Sequence, residues 1–347
     1  MASTTVSATS VAAPSVEHPL KNPNYRLWLI GGTISLLGDQ FYLVALPWLV
    51  LQQTGSAVAM GAVMMAEAIP RAVLMLMGGA VSDRMSARKI MMATATARTV
   101  CVSVIGLLVW MRVLRTWELY ALAFAFGVAD AFAAPARSAY MPSLVMREQL
   151  VAASSVGQST AQLTSIVGPA PAGFVIQALG IAWAFFLDAI SFLFIIGALW
   201  KLPDPPKTGS GRKAMWHPIG EGISYVAKDV PLRSLMLLAT IMNFCISGPL
   251  IVGLAYLTKT KLGSPAAYGT LISSVAAGSL LGAVLAGLWK NPQARHLDSG
   301  RCSGAGRLPV LDRVGRTNLE RRHDSLGDGR GRGNAQCPYR RLGHATH

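Results

Sequence analysis

Several ionisable residues lie inside long apolar stretches of this sequence, where a charged side chain is costly to keep. Such residues bind ions or protons, line polar cavities, or pair with one another and hold helices together. We therefore treat the following residues as candidates for proton binding or for lining a cavity: Asp39, Glu67, Arg71, Arg98, Asp130 and Arg137. A further acid, Asp188, is followed by Ser191 and Phe192, and we interpret it as a helix-packing contact.

The spacing leaves the pairing of these charges open. Glu67 and Arg71 are four residues apart with the acid first, which is the favourable order for a pair on one helix face. Asp130 can pair with Arg98 or with Arg137, which lies seven residues further along its own helix face. Static pairs of this kind are the alternative to a functional role.

Asp39 differs from the other acids because it has no partner on its own helix. A carboxyl without a partner in a low-dielectric medium is a candidate for reversible protonation. We predict Asp39 as the proton site, the alternative being a hydrogen-bonded structural acid beside Gly38. By depth, Asp39, Glu67, Arg71 and Asp130 fall near the middle of their apolar stretches, and we expect them to point into a helix bundle.

Composition indicates an integral membrane protein. The chain is 52% hydrophobic and 14% charged, whereas soluble domains carry about 25% charged residues. A bilayer requires about 20 apolar residues per helix. The sequence predicts eight such spans: Leu27–Leu51, Ala57–Val81, Ile90–Met111, Glu118–Tyr140, Val151–Ala178, Ile181–Trp200, Leu232–Leu257 and Ala266–Lys290.

Basic residues are distributed unevenly between the links that join the spans. The side that includes the N-terminus carries thirteen Lys and Arg and the other side four, which predicts a cytoplasmic N-terminus. The N-terminus does not read as a cleaved signal peptide. We expect five segments: a disordered cytoplasmic N-terminus 1–23, a six-helix half 24–200, a cytoplasmic linker with an amphipathic helix 201–231, two further helices 232–290, and a disordered tail 291–347.

The link between spans two and three concentrates charge at a membrane surface. A glycine is followed there by one acid and three basic residues: Gly79, Asp83, Arg84, Arg88 and Lys89. Gly79 permits close approach of a neighbouring helix. The loop either gates a moving bundle or only fixes topology, since basic loops stay in the cytoplasm.

Span five contains a predicted kink. Gly168, Pro169 and Gly173 interrupt backbone hydrogen bonding at membrane depth. Such a break is tolerated only beside protein or a water-lined cavity.

The tail from Asn291 is rich in Arg and Gly and contains no lysine. It cannot bury enough apolar surface to order itself. We considered a natural solvated tail and an RNA-contacting Arg/Gly segment at 330–333. We favour a shift of reading frame, because out-of-frame translation of a GC-rich gene gives Arg and Gly and loses lysine. On that interpretation the chain is a truncated fragment that does not transport.

Taken together, several stretches resemble the major facilitator superfamily of transporters, in particular its drug:proton antiporter branch, which includes macrolide-efflux and siderophore-export proteins. They are Gly38-Asp39 with 45–51, Pro70-Arg71, the loop 79–89, the segment 131–142, Gly168-Pro169, Asp188 with Ser191-Phe192, and Asn243 with Gly248-Pro249. Ala87 and Ala172 depart from that pattern, which usually has Arg and Gly there.

The resemblance implies an all-α membrane protein with a major-facilitator-like helix bundle: a complete six-helix N-terminal half plus two helices of the second half. It implies proton-coupled efflux of drug-like or other amphipathic small molecules at the plasma (inner) membrane. The implied partners are a small-molecule substrate, protons and the lipid bilayer, with the protein a monomer and without a cofactor.

Other classes of function find little support in the sequence. The alternative is a membrane-anchored protein that binds nucleic acid through the Arg-rich tail. No recognisable nucleic-acid-binding fold supports it, and we expect no nucleic-acid partner. The four cysteines are scattered and suggest no metal site. We expect no enzyme, because no Ser/His/Asp set, metal cluster or phosphate loop is present.

Overall fold

A computed structural model describes residues 18–82, 85–204 and 225–288 of the 347-residue chain. Most of the predicted linker helix, the predicted tail and residues 1–17 lie outside this part. So do Asp83 and Arg84 of the predicted gating loop. The described residues belong to one structural unit.

The described part of the chain is built from helices whose bounds follow the apolar runs of the sequence. In chain order they are α1 Pro23–Thr54, α2 Ala57–Ser82, α3 Ala87–Trp110, α4 Thr116–Tyr140, α5 Leu150–Val167, α6 Pro169–Leu179, α7 Ile181–Lys201, α8 Val230–Met242, α9 Gly248–Leu257 and α10 Pro265–Leu288. Six of them, namely α1, α2, α3, α4, α7 and α10, are long and apolar enough to cross a membrane. The all-helical fold class is therefore confirmed.

Two of the eight expected spans are not single α-helices. Span five divides at Gly168 into α5 and α6, as the kink motif predicts. Span seven is helical throughout, but the π-helical turn Asn243–Ser247 interrupts its α-helical hydrogen bonding and separates α8 from α9. Pro249 explains the change, because it lacks an N–H and its ring collides with the carbonyl four residues earlier. The helix widens there into a π turn.

Helices α1, α2, α3, α4 and α7 form a tightly packed bundle, in which α2 lies along α4 and α7 lies along α1 and α3. Glycines mark the closest approaches. A Cβ built on Gly127 would lie 2.2 Å from the carbonyl oxygen of Glu67, and one on Gly38 would lie 2.7 Å from Asp188 Oδ1. Asp188 is fully buried at this α1–α7 contact, beside Ser191.

Helix α10 crosses α6 at a pair of glycines. A Cβ on Gly269 would lie 2.2 Å from the carbonyl oxygen of Pro169, and one on Gly173 would lie 2.5 Å from that of Pro265. At the kink the Ala170 N–H donates to Ser273 Oγ of α10 at 3.1 Å. A donor released by the helix break thus finds its acceptor on another helix, as a buried donor must.

A second contact with α10 lies where α1 approaches its C-terminal end. The Trp48 ring stacks on Tyr268 with 6.3 Å between centroids. Lys259 Nζ lies 5.0 Å from the centre of the same indole, within the range of a cation–π contact. This cluster joins α1 to α10 at the end of the bundle opposite to the N-terminus of α1.

Candidate functional site

A polar cavity of about 410 Å³ lies among α1, α2, α3 and α4. Three carboxyls and three guanidiniums line it, together with aromatic, aliphatic and hydroxyl groups. These ionisable residues are Asp39, Glu67, Arg71, Arg98, Asp130 and Arg137. The structure therefore brings all six candidates from the sequence together in one place.

Arg98 of α3 is the centre of an ion-pair chain. Its Nη1 lies 3.3 Å from Asp130 Oδ1, and its Nη2 pairs with Asp39 Oδ1. Asp130 Oδ2 in turn lies 3.1 Å from Arg71 Nε. The charges alternate along the series from Arg71 to Asp39, so four different helices are tied together by opposite charges.

Two aromatic rings complete the surroundings of Arg98. Its guanidinium carbon lies 4.9 Å from the centre of the Phe126 ring and 4.4 Å from that of Phe192. Only 8% of the Arg98 side chain is exposed. Because a buried cation must be paired, the two carboxylates and the two ring faces together explain why it is retained there.

Asp39 is not an isolated acid. No partner is visible on its own helix, but the structure supplies Arg98 from α3, 59 positions away along the chain. We predicted Asp39 as the proton site because it lacked a partner, and its ion pair with Arg98 removes that argument. Spacing along one helix cannot reveal a partner that arrives from another.

Glu67 and Arg71 do not form the pair that their spacing allows. Arg71 turns to Asp130, and Glu67 Oε2 instead accepts a hydrogen bond of 3.1 Å from the Tyr42 hydroxyl. Within the described part of the chain, Glu67 has no basic group at ion-pair distance. It is the one acid lining this cavity of which that is true.

Tyr42 is the site residue that the sequence analysis missed. Its ring stacks on Phe126 at 4.3 Å between centroids, which fixes the hydroxyl toward Glu67. A buried tyrosine hydroxyl usually has a polar partner. Tyr42 lies in an apolar span, three residues after Asp39 and therefore on the same helix face. This position could have identified it from the sequence.

Arg137 stands apart from the ion-pair chain. The alternative pairing of Asp130 with Arg137 is not realised, since Asp130 is engaged by Arg71 and Arg98. Among the described residues no hydrogen bond or ion pair joins Arg137 to another group. It lines both this cavity and a second one of about 290 Å³ among α1, α4 and α5.

The predicted kink borders the polar cavity. A Cβ on Gly168 would lie 2.5 Å from Cγ of Gln40, which itself lines the cavity. Glycine at this position thus lets the break between α5 and α6 pack directly against α1. Gly173 serves the α6–α10 crossing instead.

Arg88 of the predicted gating loop holds the C-terminal end of α7. Its Nε donates to the Leu199 carbonyl at 2.6 Å and its Nη2 to the Trp200 carbonyl at 3.0 Å. Arg88 Nη1 also lies 3.9 Å from Asp204. Lys89 is exposed, and Gly79 lies within α2. Arg88 therefore caps a helix whose last carbonyls need donors.

Comparison with known proteins gives this geometry a context. The profile of a family described as transmembrane secretion effector, within the major facilitator superfamily, matches residues 15–295. The chain is 26% identical over 287 residues to macrolide efflux protein A of Streptococcus pyogenes, covering 79% of this chain and 68% of that protein. It is 28% identical over 271 residues to the multidrug efflux pump Tap of Mycobacterium tuberculosis, covering 74% and 64%. The matched region thus spans about two thirds of the length of these curated relatives.

Proposed function

Because the chain belongs to the transmembrane secretion effector family of the major facilitator superfamily, a family of transporters and not of enzymes, we propose that it exports amphipathic small molecules in exchange for protons. It is a multi-pass membrane protein. Macrolide efflux protein A and the multidrug efflux pump Tap are relatives whose names denote efflux. Their names support efflux, and the polar cavity supports proton coupling.

The observation that carries the proposal is the position of Glu67 beside the ion-pair chain. Protonation of Asp39 or Asp130 would remove a partner from buried Arg98, and breaking such a pair costs about 3–5 kcal/mol. Protonation of Glu67 breaks no ion pair. Glu67, rather than Asp39, is therefore the proton carrier in this proposal.

Protonation of Glu67 also changes the charge that the cavity presents. Its lining has as many carboxyls as guanidiniums when all are ionised. Neutralising Glu67 leaves one positive charge in excess in a low-dielectric surrounding, where charges interact strongly. A proton on Glu67 and a charged substrate thereby affect each other's binding through the net charge of the cavity, which is the linkage that exchange requires.

We propose that the N-terminus is cytoplasmic and that the membrane is the plasma (inner) membrane, because the links on that side carry most of the basic residues. The smaller cavity then lies toward the cytoplasm, among the first half of α1, the end of α4 and the start of α5. The contact of Trp48 with Tyr268 lies toward the outside. Substrate would enter from the cytoplasm and leave after the bundle rocks about its midplane.

The remaining lining suits an amphipathic substrate. Leu36, Leu43, Met64 and Phe126 give the larger cavity an apolar side opposite its charges. Methionine and aromatic side chains adapt to ligands of different shape. The loop from Gly79 to Lys89 is the proposed cytoplasmic gate, anchored to α7 through Arg88, and the working unit is a monomer.

Efflux of a fluorescent amphipathic dye from energised cells tests this function. Cells that express the chain are expected to accumulate less dye than vector controls, and a protonophore should abolish the difference. Glu67→Gln should remove proton-driven efflux, with Glu148→Gln as the matched control because Glu148 is an exposed loop acid. Efflux that is insensitive to the protonophore would contradict the proposal, and no efflux at all would contradict it and favour the non-transporting alternative.

A further inference from the structure

A groove of about 490 Å³ runs along the outer surface of the bundle, where α1 and α7 lie side by side. The two helices touch at Gly31 and Ala198, both of which line the groove: a Cβ on Gly31 would lie 2.9 Å from that of Ala198. All of its lining residues except Lys201 are apolar. About half of the Ile30 and Phe194 side chains is exposed, so the groove opens toward the lipid and not into the bundle.

The length of the groove corresponds to one leaflet of a bilayer. Its lining on α7 extends from Ile190 to Lys201, which is about 16 Å at a rise of about 1.5 Å per residue. Half of a hydrocarbon core of about 30 Å is about 15 Å. The groove is therefore long enough for one acyl chain that enters from a single membrane surface.

The charged end of the groove lies at a membrane surface. Lys201 is exposed and is the last residue of α7, and Trp200 beside it is 69% exposed. Tryptophan is enriched where lipid meets water. Arg26 of α1 is exposed at the same end, one turn before Ile30 and on the same helix face. Since α1 begins here, this is the cytoplasmic surface in the orientation proposed above.

Lys201 has no acidic partner within the part of the chain that the structure describes. The nearest acid along the sequence, Asp204, accepts a hydrogen bond of 2.7 Å from Ser86 and lies 3.9 Å from Arg88. Basic pockets between membrane helices on the cytoplasmic side bind anionic headgroups. A phosphate supplies the partner that Lys201 lacks, whereas the choline of a zwitterionic lipid brings another cation toward Lys201 and Arg26.

We propose that the groove between α1 and α7 is a binding site for one anionic phospholipid of the cytoplasmic leaflet, with an acyl chain along the groove and the headgroup phosphate at Lys201 and Arg26. The bound chain covers the contact of Gly31 with Ala198 and holds the two helices together. This site faces lipid, so it is separate from the polar cavity and does not depend on the proposed export function.

Native mass spectrometry of the detergent-purified full chain tests the proposal. The probes are dioleoyl phosphatidylglycerol and dioleoyl phosphatidylcholine, which have the same acyl chains. Each cation near a lipid surface contributes about fivefold in affinity, so the first phosphatidylglycerol should bind at least about tenfold more tightly than phosphatidylcholine. Equal binding of the two lipids to the unaltered chain would overturn the proposal.

Substitutions of the two cations assign the headgroup contact. Lys201→Gln and Arg26→Gln should each lower the preference for phosphatidylglycerol about fivefold, and the double variant should abolish it. Lys201→Arg should keep the preference, because it keeps the charge. Lys89→Gln is the matched control, since Lys89 is an exposed base at the same end of the bundle and does not line the groove. An undiminished preference in the double variant would overturn the assignment.

A groove-filling variant tests the site of the acyl chain. A Cβ on Gly197, which lines the groove, meets no atom within 4 Å, and neither does one on Gly278 of α10. Gly197→Leu should therefore fold and weaken the binding of both lipids, whereas Gly278→Leu should not change it. Equal lipid binding by the two variants would place the chain elsewhere and overturn the proposal.

The other occupant of an apolar groove is the transported molecule itself. An amphipathic dye should not displace phosphatidylglycerol from the unaltered chain, and displacement would make the groove a substrate site and overturn the assignment to lipid. These measurements require no transport, so their failure leaves protonophore-sensitive efflux untouched and is distinguishable from failure of the export function.

Discussion

The Tyr42 hydroxyl lies 3.1 Å from Glu67 Oε2 and donates a hydrogen bond to it between α1 and α2. Through this contact the acid is oriented by a neutral group, while the other acids of the cavity are held by arginines. Glu67 can therefore change charge without dismantling the ion pairs that hold the helices together.

Removing the Tyr42 hydroxyl should impair transport without unfolding the protein. In Tyr42→Phe the ring keeps its stacking on Phe126, whereas Glu67 loses its oriented donor. We expect the initial rate of proton-driven dye efflux to fall about two- to tenfold, which corresponds to the loss of one hydrogen bond. Tyr120→Phe, which removes a tyrosine hydroxyl contact between α4 and α2 away from the cavity, should leave the rate unchanged. An unaltered rate in Tyr42→Phe would contradict the role given to this contact.

Arg98 should be the most sensitive position for stability in the polar cavity. Arg98→Met leaves Asp39 and Asp130 facing each other without their shared cation. Loss of one partner of a buried ion pair costs about 3–5 kcal/mol, so the thermal midpoint of the detergent-purified protein should fall clearly. Adding Asp39→Asn to Arg98→Met should recover part of the loss, because one uncompensated charge is removed. Arg147→Met, at an exposed loop position, serves as the control, and equal midpoints for the two single variants would refute the account.

Two glycines on α10 provide a matched pair for the crossing with α6. A Cβ on Gly269 would lie 2.2 Å from the Pro169 carbonyl oxygen, whereas one on Gly278 meets nothing within 4 Å. Gly269→Ala should therefore force the helices apart at a cost of about 1–3 kcal/mol, while Gly278→Ala should be neutral or slightly stabilising. Thermal unfolding of the two variants side by side measures the difference. A Gly269→Ala protein as stable as Gly278→Ala would show that the two helices do not cross as described.

The cap that Arg88 provides should be visible in the last turn of α7. Arg88→Gln removes donors from the Leu199 and Trp200 carbonyls, with an expected cost of about 1–2 kcal/mol. Amide hydrogen exchange near residues 197–202 should become faster. Lys89→Gln changes the neighbouring exposed base and should have no such effect. Equal exchange in both variants would mean that the cap contributes nothing.

The helices could be predicted from the sequence because their length is set by the membrane. Apolar runs located the spans to within a few residues, and Gly168 with Pro169 located the break in span five. The π turn in span seven could not be predicted from the apolar pattern, because such a turn leaves that pattern uninterrupted.

Charge pairing could be predicted only in part. The six candidates were identified because an ionisable side chain inside a membrane span costs free energy. All six line one cavity. Their partners could not be identified, because spacing shows neighbours on one helix and not across helices. Asp39 pairs with Arg98 of another helix, and Glu67 accepts a hydrogen bond from Tyr42 and does not pair with Arg71.

Proton movement in proteoliposomes tests the central claim most directly. With a pH-sensitive dye inside the vesicles, addition of an amphipathic substrate to the unaltered chain should produce proton flux opposite to substrate flux. The Glu67→Gln protein should still move substrate down its gradient but without an accompanying proton flux. Gln can keep the hydrogen bond to Tyr42 but cannot carry a proton. Substrate-coupled proton flux that persists in Glu67→Gln and disappears in Asp39→Asn would contradict the account and return the proton site to Asp39.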